Sequence, residues 1–369
     1  MNILNVTSIT ELRGGDAQMY TVYNLLKEKE DCNQFILCPK DSVLAGICQK
    51  DAANFFTYTK NKLKLFHLIV AIVKTARKES IDIIHIHDSS ALNAGLIAMK
   101  FLSSTTALIL SRKRNNKIKD KFLNRYKYSH PDIKKIISVS KAVEAIFDTI
   151  IKDKTRLMTI YDAIDVKKMA RNENKNSLHQ EFNLSPETKI VGTIAGLTPQ
   201  KDLFTFIDTA KQISLSDSTA PIKFVILGEG PLRNELAAYA KQQNLEDTIF
   251  FTGFRNNATE LLPEFDVFLI TSITEGLPLS VYEAFACKVP VVATKAGGIP
   301  EVVISGETGF LADFKDAPTL ANRVIEVLNN PTLTEKIKKN AFDLVAKNHD
   351  LTVMQTNYYT FYHNLKSTN

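Results

Sequence analysis

The sequence predicts an α/β protein built from two Rossmann-like domains, each a doubly wound parallel sheet. Three observations carry that expectation. The chain has 369 residues, long for one domain and comfortable for two. Short apolar segments alternate with amphipathic segments of helical period, through two successive rounds. A polar stretch at 167–186 separates the rounds.

In the first round, strands are predicted at 3–7, 34–38, 82–86, 107–110, 135–139 and 156–160. Helices fall between them at 15–29, 62–79, 90–101 and 141–151. In the second round, strands are predicted at 189–194, 222–227, 248–251, 267–270 and 291–293, with helices at 201–214, 232–243, 279–286 and 318–329. The strands are short and apolar, as strands covered on both faces are, and the helices between them are crossovers. The tail at 350–366 has a helical pattern rich in Tyr and Phe. The predicted division is 1–166, 167–349 and a final helical segment, 350–369.

Composition sets bounds on function. The apolar fraction of 44% supports real cores, and the charged fraction of 23% is ordinary. The longest near-apolar stretch, 65–73, is too short to cross a bilayer and contains His67. The first residues, MNILNVTSIT, read as a strand rather than a signal segment. Cys32, Cys38, Cys48 and Cys287 form no C-x-x-C pair and read as buried, reduced thiols, so a cytoplasmic setting is expected.

Charge is uneven. Residues 1–165 hold 26 Lys/Arg against 17 Asp/Glu, and the remainder 20 against 23. The segment 111–135 alone has ten basic and two acidic residues. Such a run is either a solvated face or a surface attracted to anionic lipid or a phosphorylated acceptor. Nucleic acid is not expected, because no recognition motif accompanies it.

The most informative segment is 271–301, TSITEGLPLSVYEAFACKVPVVATKAGGIPE. It places Glu275 in a turn after an apolar strand and Glu283 in the helix that follows. A helix start carries unpaired N–H groups and partial positive charge, which suit phosphate. A carboxylate beside it accepts hydrogen bonds from sugar or ribose hydroxyls. The order of parts is apolar strand, Thr-Glu-Gly-Leu-Pro-Leu, Glu-Ala-Phe-Ala-Cys, Val-Pro-Val-Val-Ala-Thr, Gly-Gly-Ile-Pro-Glu. This order resembles the donor-site signature of the family 4 glycosyltransferases, retaining enzymes of the GT-B fold. Leu277 and Pro278 stand where that signature usually has Phe and Gly.

The resemblance implies that Glu283 holds the ribose and Glu275 the donor sugar, with Gly276, Leu277, Pro278 and Leu279 lining the donor. It implies a cleft between the two domains and a last helix crossing back to the N-terminal one. Further loops at strand ends fit the same scheme. Arg13-Gly14-Gly15-Asp16 follows the first strand, and the two glycines allow close approach to a diphosphate, or simply a tight turn. His85-Ile86-His87-Asp88 follows the third. His85 reads as structural. His87 matches the family's His near the reacting sugar, with Asp88 able to orient it. Metal binding by this pair is not expected, since no further ligand stands near in sequence.

In the second half, the family's Gly-Arg-Leu is here Ala195-Gly196-Leu197, followed by Lys201 at a helix start. The family's Arg and Lys grip the diphosphate together, so Gly196 leaves that grip one charge short. Arg112, Arg114 or Arg255 are candidates to supply it. Gly228-Glu229-Gly230 and Gly253-Phe254-Arg255 match loops that hold the base.

These readings imply a retaining, metal-independent hexosyltransferase. It would use a nucleotide diphosphate sugar as donor substrate, no cofactor, and a glycan or lipid-linked acceptor. Surface polysaccharide or glycolipid assembly at the inner membrane face is the implied setting. His87, Glu275 and Lys201 are the catalytic candidates. A nucleotide-sugar epimerase of the same fold and a weakly active nucleotide-sugar-binding protein are the alternatives.

Overall fold

A computed structural model describes residues 1–11, 14–119, 121–215 and 221–367. The chain divides into two compact units, one comprising 1–162 with 352–369 and the other 163–351.

The N-terminal unit has seven parallel strands: β1 (Asn2–Val6), β2 (Asn33–Pro39), β3 (Phe55–Tyr58), β4 (Ile83–Ile86), β5 (Ala107–Arg112), β6 (Ile133–Ser138) and β7 (Leu157–Thr159). Their order is β3-β2-β1-β4-β5-β6-β7. Helices α1 (Gly14–Leu26), α2 (Val43–Lys50), α3 (Lys64–Lys78), α4 (Ser89–Met99), α5 (Phe122–Tyr128) and α6 (Lys141–Glu144) connect them. Successive strand residues face opposite sides. Leu37 joins a core with Leu68, Ile72 and Leu92 under α3 and α4. Its neighbour Ile36 joins another with Met19, Tyr23 and Leu44 under α1 and α2. Both sheet faces are therefore covered.

The C-terminal unit begins with two short helices, α7 (Val166–Met169) and α8 (Ser177–Glu181). Its six strands are β8 (Lys189–Ile194), β9 (Ile222–Leu227), β10 (Ile249–Gly253), β11 (Val267–Ile270), β12 (Val291–Thr294) and β13 (Phe310–Ala312), in the order β10-β9-β8-β11-β12-β13. Helices α9 (Leu203–Ser214), α10 (Arg233–Gln242), α11 (Leu279–Ala286), α12 (Ala317–Asn329) and α13 (Pro331–Asn348) cover it. Phe206 and Ile207 of α9 and Leu320 and Val324 of α12 pack with Val191, Ile226 and Leu269 of the sheet.

The last helix, α14 (Leu351–Ser367), buries Met354, Tyr358 and Tyr362. Its partners lie in the N-terminal unit. Tyr362 meets His85 Nδ1 at 2.7 Å, Tyr359 donates to Asp31 at 2.8 Å, and Lys366 pairs with Asp82 at 3.0 Å.

The sheets extend beyond the predicted strands. β3 and β13 were not expected, although the comparably short edge strand β7 was. Helices α2, α5 and α13 are also additional. The polar stretch at 167–186 packs onto the C-terminal unit. Leu178 is fully buried, and its N–H donates to Glu264 at 2.7 Å.

Candidate functional site

In each sheet the strand order reverses once. In the C-terminal unit the reversal lies between β8 and β11, which pair at Val267↔Val191 and Phe268↔Gly192. A crevice opens outside the strand ends at such a point, because the crossovers leave in opposite directions. The loops after β8 and β11 meet there. Lys201 Nζ lies 2.6 Å from Glu275 Oε1, and Ser272 Oγ donates to the same oxygen at 2.7 Å. Thr271 Oγ1 donates to the Lys201 carbonyl at 3.0 Å, and the Ile273 N–H to Gln200 at 2.9 Å. The two loops are thus stitched together around a small hollow lined by Thr193, Ala195, Lys201, Thr271, Ser272, Glu275 and Ser280.

Lys201 ends a 3₁₀ turn, Pro199–Lys201, and Asp202 then adopts a left-handed conformation before α9 begins at Leu203. The kink turns the lysine toward β11 rather than along the helix. Its side chain is 28% exposed and that of Glu275 11%. The cation is therefore the more accessible partner of the pair.

Pro278 precedes α11 with no side-chain cap. Leu277 is buried and anchors the loop. Gly276 accepts a hydrogen bond from the N–H of Gly298 at 2.9 Å, so the Gly-Gly-Ile-Pro-Glu segment braces the glutamate turn. Glu283 is the fifth residue of α11. Burial alone pushes its carboxyl up to about 7.

Gly196 is exposed, and a Cβ there would approach nothing closer than 3.9 Å. The missing charge thus leaves open space. Arg255 does not fill it, because its guanidinium is paired with Glu181. Arg112 is also committed, holding the carbonyls of Arg114 at 3.0 Å and Asn116 at 2.7 Å.

Gly228, in one of the loops matched to the base, has its own N–H donated to Gly253 at 2.9 Å. Its φ is +146°, and a Cβ would lie 2.0 Å from the Ala195 carbonyl oxygen. Backbone packing therefore explains this glycine. Gly228→Ala is expected to cost on the order of 3 kcal/mol or more, through overlap and strain together. A denaturant midpoint equal to that of the unaltered protein would contradict this.

In the N-terminal unit the reversal lies between β1 and β4, paired at Val6↔Ile86. Gly14 and Gly15 form the first turn of α1 rather than a separate loop. Arg13 lies outside the described residues. A Cβ on Gly15 would stand 3.3 Å from Lys113 Cγ, and Lys113 pairs with Asp162 at 2.7 Å. Burial opposes the Lys113 charge, but Asp162, Tyr358 and Asp16 outweigh it and raise its pKa.

His85 is structural, as expected. Ser111 lies 2.7 Å from Nε2, and Tyr362 satisfies Nδ1. Neither nitrogen is left for a metal. Burial, with help from Lys113, pushes His85 down to about 3. His87 is held well below the ordinary imidazole range by burial, then by His85 and Lys113. It is neutral. Its Nε2 is 3.0 Å from Asn5 Oδ1, while Asn5 donates to Gln34 at 2.8 Å. An amide oxygen only accepts, so Nε2 carries the proton. Nδ1 presents a buried lone pair with no partner among the described residues. His87 can accept a hydrogen bond there but cannot supply charge. Asp88 does not orient it. Asp88 caps α4 through the N–H groups of Ser90 and Ala91, and binds Ser8.

Sequence reasoning missed Ser272 and Asn5, the residues that hold Glu275 and His87. Only a polar residue inside an apolar strand hinted at Asn5.

Two Rossmann-like units with ligand loops at their switch points define the GT-B fold. Residues 174–343 match the family described as "Glycosyl transferases group 1". The chain is 25% identical over 326 residues to N-acetyl-alpha-D-glucosaminyl L-malate synthase of Bacillus anthracis, covering 84% of each. It is 25% identical over 343 residues to UDP-Gal:alpha-D-GlcNAc-diphosphoundecaprenol alpha-1,3-galactosyltransferase of Escherichia coli, covering 88% of each. The solved structure of Anabaena HepE in complex with UDP superposes with a TM-score of 0.86 at 20% identity, over 99% of this chain and 100% of that one. The resemblance to glycosyltransferases is thereby shown, and the family match falls within the unit that holds Lys201 and Glu275.

Proposed function

We propose that this chain is a retaining, metal-independent glycosyltransferase that moves a sugar from a nucleotide diphosphate sugar to a glycan or lipid-linked acceptor. The observation that carries the reading is the Lys201–Glu275–Ser272 cluster at the switch point of the C-terminal sheet. It sets one accessible cation beside a carboxylate, next to the start of α11. The cation and the helix N–H groups suit a diphosphate, and the carboxylate suits sugar hydroxyls. The similarity to relatives named for nucleotide-sugar and lipid-linked substrates supports this choice.

In the proposed reaction the bond between the anomeric carbon and the diphosphate oxygen breaks, and the electron pair leaves with the phosphate. The acceptor hydroxyl attacks from the same side and passes its proton to the departing phosphate. Lys201 and the helix start stabilise the charge that develops there. Glu275 orients the sugar, and Glu283 holds the ribose. His87 accepts a hydrogen bond from a sugar hydroxyl at Nδ1.

The test is incubation with a panel of nucleotide diphosphate sugars, first without acceptor. Slow nucleotide release is expected for one of them, faster with acceptor, and unchanged by saturating chelator. Interconversion of the free nucleotide sugar would overturn the transferase reading. Loss of release with chelator, restored by magnesium or manganese, would overturn metal independence.

A further inference from the structure

Helix α5 lies in the basic segment 111–135, yet its outer face is apolar. Phe122 is 79% exposed, Leu123 76% and Tyr126 63%. At 100° per residue these three fall within one third of the helix circumference. The buried Tyr128 points the other way, into the core under α4. Lys117, Lys119 and Lys121 stand exposed in the segment leading to the helix, and Arg125 is exposed on it.

A second patch has the same make-up. Leu63, Leu65, Phe66 and Val70, at the start of α3, are all exposed. Lys62 and Lys64 are exposed beside them, and no acidic residue occurs from 52 to 78. The two patches share one side of the sheet. Helix α3 packs beside α4, and α5 is tied to the start of α4 by Tyr128–Ser89 at 2.9 Å. The starts of α3 and α4 both lie at the edge where the strands end, because each helix follows a parallel strand.

The geometry points to these two patches as a surface that docks on an anionic lipid bilayer, with Phe122, Leu123, Tyr126 and Phe66 entering the headgroup layer and the lysines meeting lipid phosphate. Charge complementarity selects the partner. Exposed apolar side chains ringed by lysine suit the boundary of an anionic membrane, where both kinds of group gain. A wholly apolar protein interface would leave the lysines desolvated. The proposal rests on the lipid-linked acceptor reading for its purpose only, since membrane binding is measured without donor or acceptor.

The chain contains no tryptophan, so Phe122→Trp gives a reporter free of background. Vesicles of phosphatidylglycerol and phosphatidylcholine should shift its emission to the blue, and lipids brominated near the headgroup should quench it. Vesicles of phosphatidylcholine alone should do neither at low salt. Phe122→Ser with Leu123→Ser and Tyr126→Ser should lower partitioning onto anionic vesicles about tenfold or more, with an unchanged unfolding curve because the three side chains are exposed. Residual binding by the unaltered protein at high salt should disappear in this variant. An unshifted reporter on anionic vesicles overturns the proposal, as does undiminished binding by the triple-serine variant. A concentration-dependent rise in mass without lipid, abolished by the same three changes, also overturns it, because the face is then a contact between two copies. Nucleotide release from a donor without acceptor is assayed separately, so failure here leaves the transferase reading standing.

Discussion

Lys201→Met is expected to lower turnover by about 10²–10³-fold, the range seen when one preorganised electrostatic group is removed. The lysine is the more accessible member of its pair with Glu275, and Gly196 brings no side-chain charge of its own. Its loss also strands Glu275, which among the described residues is then held by Ser272. An unpaired carboxylate next to a diphosphate repels it, so donor affinity should fall as well. The variant carrying both Lys201→Met and Glu275→Gln separates these effects. It should recover donor binding and remain slow. Glu275→Gln alone should bind free nucleotide nearly as the unaltered protein does and turn over poorly, since its proposed contact is to the sugar. Near-normal turnover in Lys201→Met would remove this lysine from the chemistry. Equal loss of free-nucleotide affinity in the Glu275→Gln and Glu283→Ala variants would overturn the assignment of the two glutamates.

The second large effect concerns Glu283. Its carboxyl titrates at about 7 in the folded protein, against an ordinary value of 4.5, because burial disfavours the charged form. The folded state therefore holds the extra proton between those values, and stability falls as pH rises from 4.5 through 7. Above 7 the full cost applies, up to about 3 kcal/mol. Glu283→Gln should be more stable than the unaltered protein at pH 8 and equal to it near pH 4. A stability gap that does not widen with pH would contradict the assignment. If ribose hydroxyls donate to this carboxylate, they favour its charged form. Affinity for a nucleotide sugar should then increase from pH 6 to 8, and the increase should vanish in Glu283→Gln.

Much of this was legible in the chain. The switch-point residues Lys201 and Glu275 were found because each stands in the loop that follows an apolar strand, and because those loops resemble the family's donor-site pattern. The two sheets were found from the apolar strands, which are local features. What sequence could not give is non-local. The partner of Arg255 is Glu181, on a helix inside the polar stretch that separates the two rounds. The reason for Gly228 is the carbonyl of Ala195, on a neighbouring strand end. The apolar face of α5 was hidden inside a charge count, because residue type alone does not say which side of a helix is left uncovered.

One feature of the N-terminal unit bears on the order in which the molecule assembles. Its sheet is complete by residue 159, but Tyr358 and Tyr362, buried against it, arrive some two hundred residues later. Until then His85 Nδ1 has no tyrosine to meet. The C-terminal unit, continuous from 163 to 351, faces no such delay. The ribosome thus delivers the first unit's strands first and its seal last, and the second unit can close while the first still waits. Domains usually mature in the order they emerge. Here the later one is free to finish ahead, and a chain cut after 351 would carry a finished second unit beside an unsealed first.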